Sequence, residues 1–483
     1  MADIDLPVDL ETVTVAELAR HLDAGTFTSV DLVEASLASI EALDRRGPSL
    51  HAVGAVVPGA REQAARADAD RRRGKQGTLV GIPVLVKDNI DVAGMATTAG
   101  SLALEGSTPA GDAPIVTALR RAGAVILGKA NLTEFANFMA TDMPSGYSSL
   151  AGQVLNPYDV SVTPSGSSSG SAAAVATGLS ALAVGTETSG SILAPAEAQS
   201  VVGIKPTAGL VSRTGIVPIS HTQDTAGPIA RTVADAAALL DAMVDAGSST
   251  SAALSPGALA GARLGVVTSF DGKLSPDQIA LWEDARRALA DRGATLVPVE
   301  LPAPEGEWTV LTFEFRDDLD SYLRNLPDGA PMRSLAEVVA FNRAHAGAML
   351  KYGQARLLDS LAVDTAAGSR DRARYEAARA SDLAETKERI DAAMATADLG
   401  ALVYPEVEGY DTGARAGYPS VTVPAGYRES NRRPFGVQFL GRAFAETVLI
   451  AYAYDFEQAT LLRRPPSEVN PSLFRSALPA PPR

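Results

Sequence analysis

Short apolar runs alternate with helical patterns along most of this chain, and this alternation limits its possible folds more than any other feature. Apolar runs typical of buried strands occupy 79–86, 124–127, 181–184, 201–204, 264–267, 401–404, 420–424 and 435–439. Helical patterns lie between or after them, at 113–122, 171–179, 232–244, 276–292 and 444–462. Strands that alternate with helices build a sheet with helices on both faces. The sequence therefore predicts an α/β fold.

The two ends of the chain differ from this alternating part. Capping-box spacing at Thr14 and Thr28 predicts two helices, at 15–23 and 29–43, within a helical layer over residues 1–60. The last twenty residues carry six prolines, which predicts an extended strap or a frayed end.

No glycine-serine linker and no block of like charges divides the rest of the chain. We therefore predict a single domain over residues 1–463, followed by the proline-rich tail at 464–483. Within that domain, residues 79–240 are expected to form the core, and residues 241–463 the remaining sheet and the side that faces the substrate.

Composition excludes several classes of protein. The 483-residue chain has a net charge of −15, which disfavours a surface that follows a phosphate backbone, so no nucleic-acid partner is expected. The absence of cysteine excludes disulfides, thiolate metal sites and cysteine catalysis. The N-terminus lacks an apolar signal-peptide core, and the most apolar run, 172–185, is shorter than a bilayer requires. We therefore expect a cytoplasmic protein that does not bind membranes.

Motifs for phosphate and metal binding are incomplete. Residues 123–130 have the spacing of a phosphate-binding loop, but Ala130 stands where a hydroxyl residue would bind magnesium. No His-Glu-x-x-His pattern is present. The sequence therefore predicts neither a metal site nor a cofactor.

A second motif leaves one alternative open. Residues 166–170 fit the pattern G-x-S-x-G, which makes Ser168 a possible elbow nucleophile of an α/β-hydrolase. That mechanism needs an acid and a histidine further along the chain, and His221 and His345 are available. The segment follows Pro164 rather than a clear strand, which does not match the strand–turn–helix context of the elbow.

Lys87 ends the apolar run that begins at Gly81, at the end of a predicted buried strand. A lysine held there loses hydration, which lowers the pKa of its ammonium group and lets the amine act as a base. The alternative is a lysine that pairs with Asp88 or Asp91 and extends its charge to solvent.

Two glycine- and serine-rich turns, around Ser167 and Ser191, are flanked closely by short apolar runs. A serine hydroxyl is a poor nucleophile until a base takes its proton. The small residues Ser189 and Gly190 allow backbone N–H groups to converge beside the Ser191 hydroxyl, as in an oxyanion hole. Together with Lys87, the turns predict a serine nucleophile that works without histidine.

Five stretches in this order resemble the amidase signature family, serine hydrolases of amide bonds with a Ser–cis-Ser–Lys triad. They are GIPVLVKDN at 81–89, TPSGSSSGSAAAVA at 163–176, GTETSGSI at 185–192, GIKPTAGLVSR at 203–213 and DTAGPIARTVAD at 224–235. Weaker similarity appears at 418–426 and 435–441. The resemblance implies one large domain with a central mixed β-sheet and no cofactor. A monomer or a homodimer is expected.

The resemblance also implies roles for individual residues. Ser191 would be the nucleophile, and Lys87 the uncharged general base at rest. Ser167, after a cis peptide bond, would relay protons between these two residues. Ser168 is expected to hydrogen-bond within its own loop. The oxyanion would be bound by the backbone N–H groups of Thr188, Ser189, Gly190 and Ser191.

Departures from the family pattern bear on the substrate. Ser169 and Ser189 stand where glycine is usual, and both retain their backbone N–H groups. Leu193 stands where many members carry an arginine that helps to hold a carboxylate. Leucine cannot do so, which predicts a neutral or apolar acyl group and disfavours a glutamine-dependent amidotransferase subunit.

The resemblance is strongest to peptide amidases, which remove C-terminal carboxamides, and it is carried by residues 186–195 and 334–345. Hydrolysis of aryl amides, hydrazides or carbamates is the nearest alternative. The predicted walls of the substrate pocket are Asn137, Phe138, Met139 and Leu193.

Overall fold

A computed structural model describes residues 6–244, 249–306 and 308–474. Its strands are β1 (Val53–Val56), β2 (Pro83–Lys87), β3 (Val125–Ala130), β4 (Tyr147–Ser148), β5 (Gly152–Gln153), β6 (Leu182–Glu187), β7 (Val202–Lys205), β8 (Thr225–Ala230), β9 (Arg263–Val267), β10 (Thr295–Val299), β11 (Ala401–Pro405), β12 (Ser420–Tyr427) and β13 (Pro434–Leu440). Eleven of them form one sheet in the order β1-β3-β2-β6-β8-β7-β12-β13-β11-β9-β10, and β4 pairs with β5.

Helices flank this sheet. Those before β9 are α1 (Val15–Ala24), α2 (Ser29–Ser39), α3 (Ala60–Arg72), α4 (Pro114–Arg121), α5 (Ser169–Ala176), α6 (Leu193–Ala198) and α7 (Val233–Met243). Those after β9 are α8 (Pro276–Asp291), α9 (Thr309–Arg324), α10 (Leu335–Ala344), α11 (Ala346–Met349), α12 (Ala355–Ala362), α13 (Arg370–Leu383), α14 (Arg389–Thr396), α15 (Tyr410–Ala416), α16 (Glu446–Thr460), α17 (Pro466–Val469) and α18 (Pro471–Phe474). Among the residues described, no helix combines the length and the apolar character needed to cross a bilayer.

The sheet is mixed, and its parallel part positions the candidate site. β2 runs parallel to β3 and to β6, whereas β8 is antiparallel to β6. The carboxyl ends of β2, β3 and β6 therefore meet at one edge of the sheet, which is where open α/β sheets bind their ligands. Lys87 and Glu187 are the last residues of β2 and β6.

Alternating side chains of β2 supply the cores on both faces of the sheet. Val84 and Val86 belong to an apolar cluster that includes residues of α1, α4, α7 and α16. Leu85 faces the opposite way and packs in a cluster with the alanine-rich helix α5. Because a strand directs successive side chains to opposite faces, both faces of β2 are buried. The predicted α/β domain, with helices on both sides of a mixed sheet, is confirmed.

The predicted N-terminal helices are confirmed with one change. Both capping boxes form, at Thr14 and at Thr28. The second helix leaves α-geometry after Ser39 and continues as a π-helical turn over Ile40–Arg45.

The predicted strand at 79–86 begins later, at Pro83, because Gly81 adopts a left-handed φ of +77° and its N–H bonds to the carbonyl of Gly123.

The segment with the spacing of a phosphate-binding loop, residues 123–130, forms mostly a strand. Its residues 125–130 form β3, and its lysine is buried in an ion pair with Asp88 at 2.9 Å.

The predicted extended tail is wrong over residues 466–474, which form the short helices α17 and α18. Each begins with a proline, a residue that fits the first turn of a helix because its missing N–H needs no partner there. The carbonyl of Arg464 accepts hydrogen bonds from the hydroxyls of Tyr158 and Tyr427, at 2.7 and 2.8 Å. The rest of that prediction, 475–483, lies outside the described residues.

Candidate active site

Lys87 is completely buried at the carboxyl end of β2. Its Nζ lies 2.7 Å from Oγ of Ser167, and it contacts the Oγ1 and carbonyl oxygen of Thr186 at 2.9 and 3.1 Å. Burial lowers the pKa of Lys87 to about 7, although the negative charges of Glu187 and Asp224 act in the opposite direction. The alternative in which Lys87 pairs with Asp88 or Asp91 and extends its charge to solvent is wrong, because Lys87 is completely buried and contacts Ser167 and Thr186 instead.

The loop that carries Ser167 is held against neighbouring elements. The Gly166–Ser167 peptide bond is cis, as the resemblance implied. The carbonyl of Ser167 accepts a hydrogen bond from the N–H of Thr133 at 3.1 Å. An added Cβ at Gly166 would lie 2.5 Å from Oγ1 of Thr133, so this approach requires glycine. Ser167 is thereby fixed beside the end of β2.

Ser168 does not bond within its own loop, which corrects the prediction. Its Oγ donates to the carbonyl of Thr186 at 3.1 Å and lies 3.2 Å from the N–H of the same residue, in β6. Its own N–H donates to the carbonyl of Ser191 at 3.1 Å. Ser168 therefore connects the two serine-rich turns, and its hydroxyl is fully buried.

Glu187 holds the segment that follows Ser191. One carboxylate oxygen, Oε2, accepts the N–H groups of Ile192 and Leu193 at 2.7 and 3.0 Å. Burial raises the pKa of Glu187, and the nearby positive charge of Lys205 opposes that rise. The chain therefore turns sharply from β6 into α6 around this carboxylate, and Ser191 lies at the turn with 7% of its surface exposed.

The residues before Ser191 are anchored by acidic side chains that the sequence analysis did not single out. Thr188 Oγ1 donates to Asp224 Oδ1 at 2.5 Å, and Ser189 Oγ donates to Asp411 Oδ1 at 2.9 Å. Asp224 is also held by the N–H groups of residues 219 and 220, at 2.8 and 2.9 Å. Burial raises the pKa of Asp224 to about 6.

A cavity of about 240 Å³ opens beside Thr186 and Thr188. Its other lining residues include Asn89, Ala136, Arg213, Asp224, His221, Asp318 and Tyr322. Asn89 donates to Thr186 Oγ1 at 2.9 Å, the same oxygen that Lys87 contacts. The cavity thus reaches the side chains that surround the buried lysine.

The four predicted pocket residues are not among the described residues that line this cavity. Phe138 is buried against Phe315, with ring centroids 4.8 Å apart, and it stacks on Trp308. Met139 belongs to the same apolar cluster. Leu193 is completely buried in α6. Ala136, which precedes the predicted residue Asn137, does line the cavity.

The two histidines of the elbow alternative are bonded to other partners. His221 Nδ1 is 3.0 Å from Asp318 Oδ2, and His345 Nδ1 is 2.9 Å from the carbonyl of Phe341. The Ser168 hydroxyl donates its proton to the carbonyl of Thr186 in β6 and accepts a hydrogen bond from the N–H of the same residue. The geometry therefore does not assemble a Ser-His-Asp triad at Ser168.

One group of described side chains has the composition of a metal site. Ligand atoms of His221, Glu314 and Asp318 lie within 4.8 Å of one another. The Glu314 carboxylate already accepts hydrogen bonds from Thr222 Oγ1 at 3.0 Å and Tyr375 OH at 2.8 Å. These hydrogen bonds account for the burial of the carboxylate without an ion.

Comparison with known proteins is consistent with this arrangement. The sequence profile of the Amidase family matches residues 31–409. The chain belongs to the amidase family. A probable amidase of Arabidopsis thaliana is 39% identical over 481 residues, which cover 95% of this chain and 92% of the relative. The protein is thus an amidase, a hydrolase of amide C–N bonds.

Two further relatives are described by different activities. The structure of a peptide amidase from Stenotrophomonas maltophilia superposes on this amidase with a TM-score of 0.88 and 45% sequence identity. The match covers 94% of this amidase and 98% of the peptide amidase chain. A glutamyl-tRNA(Gln) amidotransferase subunit from Halorhodospira halophila is 36% identical, over 92% of this amidase and 97% of the relative.

Proposed function

We propose that this amidase uses Ser191 as the nucleophile, Ser167 as the proton relay and Lys87 as the general base. The observation that carries the proposal is the 2.7 Å contact between Lys87 Nζ and Ser167 Oγ, made by a lysine that is completely buried. An uncharged amine has two N–H groups and one lone pair. The N–H groups suit the two oxygens of Thr186, and the lone pair then accepts the proton of Ser167.

Acylation follows from these roles. Ser191 Oγ attacks the amide carbonyl carbon while its proton passes to Ser167, whose own proton passes to Lys87. Backbone N–H groups in the segment Thr188–Ser191 stabilise the negative oxygen of the tetrahedral intermediate. When the intermediate collapses, the C–N bond breaks, and the leaving amine takes back a proton through Ser167.

Deacylation runs the same relay with water. A water molecule gives its proton through Ser167 to Lys87 and attacks the ester carbon on Ser191. Collapse of the second intermediate returns the proton to Ser191 Oγ and releases the carboxylic acid.

The proposed substrate class is peptides that end in a carboxamide. The similarity to the peptide amidase, over nearly the full length of both chains, supports this class. Leu193 supports a neutral acyl group, because no side-chain cation at that position can pair with a substrate carboxylate. Residues 335–344 of the stretch that most resembles peptide amidases form α10, and Ser334 caps that helix.

A substrate panel tests this proposal. Peptide carboxamides, anilides and carbamates with the same acyl group are compared by kcat/KM. We expect a large preference for the carboxamides. Equal or faster turnover of anilides would contradict the proposal that peptide carboxamides are the substrate class. Glutamine-dependent ammonia transfer would favour the amidotransferase class.

We further propose a cytoplasmic monomer or homodimer. We also propose that it has no nucleic-acid partner, and the net charge of −15 supports this last point. The division of the domain into a helical layer at 1–60, a core at 79–240 and a substrate side within 241–463 is also proposed.

A further inference from the structure

Two consecutive residues of the turn before Ser191 are tied to different parts of the protein. Thr188 binds Asp224, which precedes β8, at 2.5 Å. Ser189 binds Asp411, in the first turn of α15, at 2.9 Å, although 222 residues separate the two. Fixing both side chains restricts the peptide groups between them.

Asp411 is itself held in place. Its second oxygen, Oδ2, accepts from Nε and Nη2 of Arg415 at 3.1 and 2.9 Å. Arg415 is 7% exposed at its side chain and also donates to Asp382 Oδ1, on α13, at 2.7 Å. A guanidinium held by two carboxylates is a rigid support, because its planar fork fixes the orientation of each partner. Oδ1 of Asp411 therefore faces Ser189 from a fixed position.

α15 contacts the turn at a second point. Gly190 has a φ of +82°, and an added Cβ would lie 2.9 Å from Cδ2 of Tyr410. The ring of Tyr410 thus lies directly over Gly190, next to the Ser189 hydrogen bond. Two successive residues of α15 hold two successive residues of the turn.

We propose that Asp411 is a positioning residue that acts through the Ser189 hydroxyl to aim the backbone N–H groups of the turn at the developing oxyanion. This rests on the proposed function, in which Ser191 is the nucleophile. A glycine at position 189, which the family resemblance gives as usual, would have no hydroxyl for such a bond.

The first test is Ser189→Ala, which removes the bond and leaves the Asp411–Arg415 pair intact. We expect kcat on a peptide carboxamide to fall about tenfold while KM changes little, because small displacements of catalytic donors slow the chemical step. The inhibition constant of a peptide aldehyde, which forms a tetrahedral adduct, is expected to rise about tenfold. The inhibition constant of the corresponding free peptide acid should not change.

Ser161→Ala is the matched control. Ser161 Oγ donates to Asp159 at 2.5 Å on an exposed surface, so this change removes a similar serine–aspartate bond away from the turn. It should leave kcat and both inhibition constants unchanged. Equal melting temperatures of the two variants exclude a loss of fold.

Two more variants assign the effect to Asp411. Ser189→Thr retains a hydroxyl and is expected to restore most of kcat. In Asp411→Asn the ion pair with Arg415 is weakened. The double variant Asp411→Asn/Ser189→Ala should have a kcat no lower than that of the slower single variant, because both changes break the same interaction.

The outcomes separate the two proposals. If Ser191→Ala retained full turnover, the proposed function would fail. If Ser191→Ala were inactive and Ser189→Ala kept the wild-type kcat and aldehyde affinity, only the role of Asp411 would be overturned. A change confined to KM would overturn it equally.

Discussion

Nζ of Lys87 lies 2.7 Å from Oγ of Ser167, across 80 residues of sequence. The three oxygens that Lys87 contacts are all neutral, two of them belonging to Thr186. A lysine buried against neutral acceptors gains too little to offset its lost hydration, and its pKa accordingly falls to about 7. The amine is therefore partly uncharged at neutral pH, which is the state a general base requires.

Removing the amine should abolish turnover without loss of fold. We expect Lys87→Met, a substitution of similar length, and Ser191→Ala each to lower kcat by on the order of 10⁴-fold, because residues of one proton relay act as a unit. Lys351→Met is the control, since Lys351 is exposed and stacks on Tyr147. The measurement is steady-state hydrolysis of a peptide carboxamide, with melting temperatures alongside. Turnover by Lys87→Met within tenfold of wild type would contradict the proposed base.

The rate should depend on pH through Lys87. Below its folded pKa of about 7 the amine is protonated and cannot accept the proton of Ser167. We therefore expect kcat/KM to rise about tenfold per pH unit up to about pH 7 and to level off above it. A profile that is flat from pH 5 to 9 would exclude a base with this pKa.

The position of that rise should move when a nearby charge is removed. The negative charge of Glu187 raises the pKa of Lys87. Glu187→Gln removes this charge and keeps an oxygen for the N–H groups of Ile192 and Leu193, so the rise should shift to lower pH. Glu468→Gln, at an exposed ion pair with Arg464, should leave it in place. A shift to higher pH in Glu187→Gln would reverse the sign that we assign.

Ser168 should prove structural. Ser168→Ala removes the acceptor of the buried Thr186 N–H, which is expected to lower the free energy of unfolding by about 1–3 kcal/mol in urea titration. Turnover should remain far above that of Ser191→Ala.

His221→Ala and His345→Ala should leave kcat unchanged. Loss of activity in either variant would favour the mechanism that uses a histidine.

Gly190 should tolerate no side chain. Gly190→Ala forces a Cβ to within 2.9 Å of the Tyr410 ring at a φ of +82°, so both kcat and the melting temperature should fall. Gly209→Ala is the control, because Gly209 has a φ of +90° but no atom within 4 Å of the added Cβ. It carries only the backbone cost of about 1–2 kcal/mol. Equal losses in the two variants would show that Tyr410 does not restrict the turn.

Local sequence signals predicted the elements in which they were consistent. β7 was expected at 201–204 and lies at Val202–Lys205, since the β-branched residues Val202 and Ile204 favour a strand in spite of Gly203 between them. β8 was missed because it contains Gly227 and Pro228, both of which are depleted in strands. The glycine is needed there because an added Cβ would lie 2.1 Å from the carbonyl oxygen of Ile204 in β7. That requirement comes from the neighbouring strand, which local sequence does not specify.

The helical region after β10 shows a second limit. On α9 the charged residues Glu314 and Asp320 are buried beside apolar ones. Charge therefore does not mark the solvent side of this helix, and the amphipathic pattern is obscured. The buried carboxylates are satisfied by partners such as Tyr375 and the N–H of Leu335.

At the candidate site, the sequence indicated Lys87 from its apolar surroundings, and the resemblance indicated the two serines. The sequence did not indicate Thr186, although its side chain and carbonyl oxygen both contact the amine of Lys87. Threonine is common in strands, so its presence there does not mark a functional residue. Nor did the sequence indicate Asp411, since no local pattern connects residues 222 positions apart.

The strand order has a consequence for synthesis on the ribosome. The six strands β1, β3, β2, β6, β8 and β7 all come from residues before 231, yet the free side of β7 pairs with β12 at 420–422. A nascent chain therefore carries an unpaired sheet edge while nearly two hundred further residues are translated. Unpaired edges invite association between chains, so truncated or stalled products of this gene should aggregate where the complete chain does not.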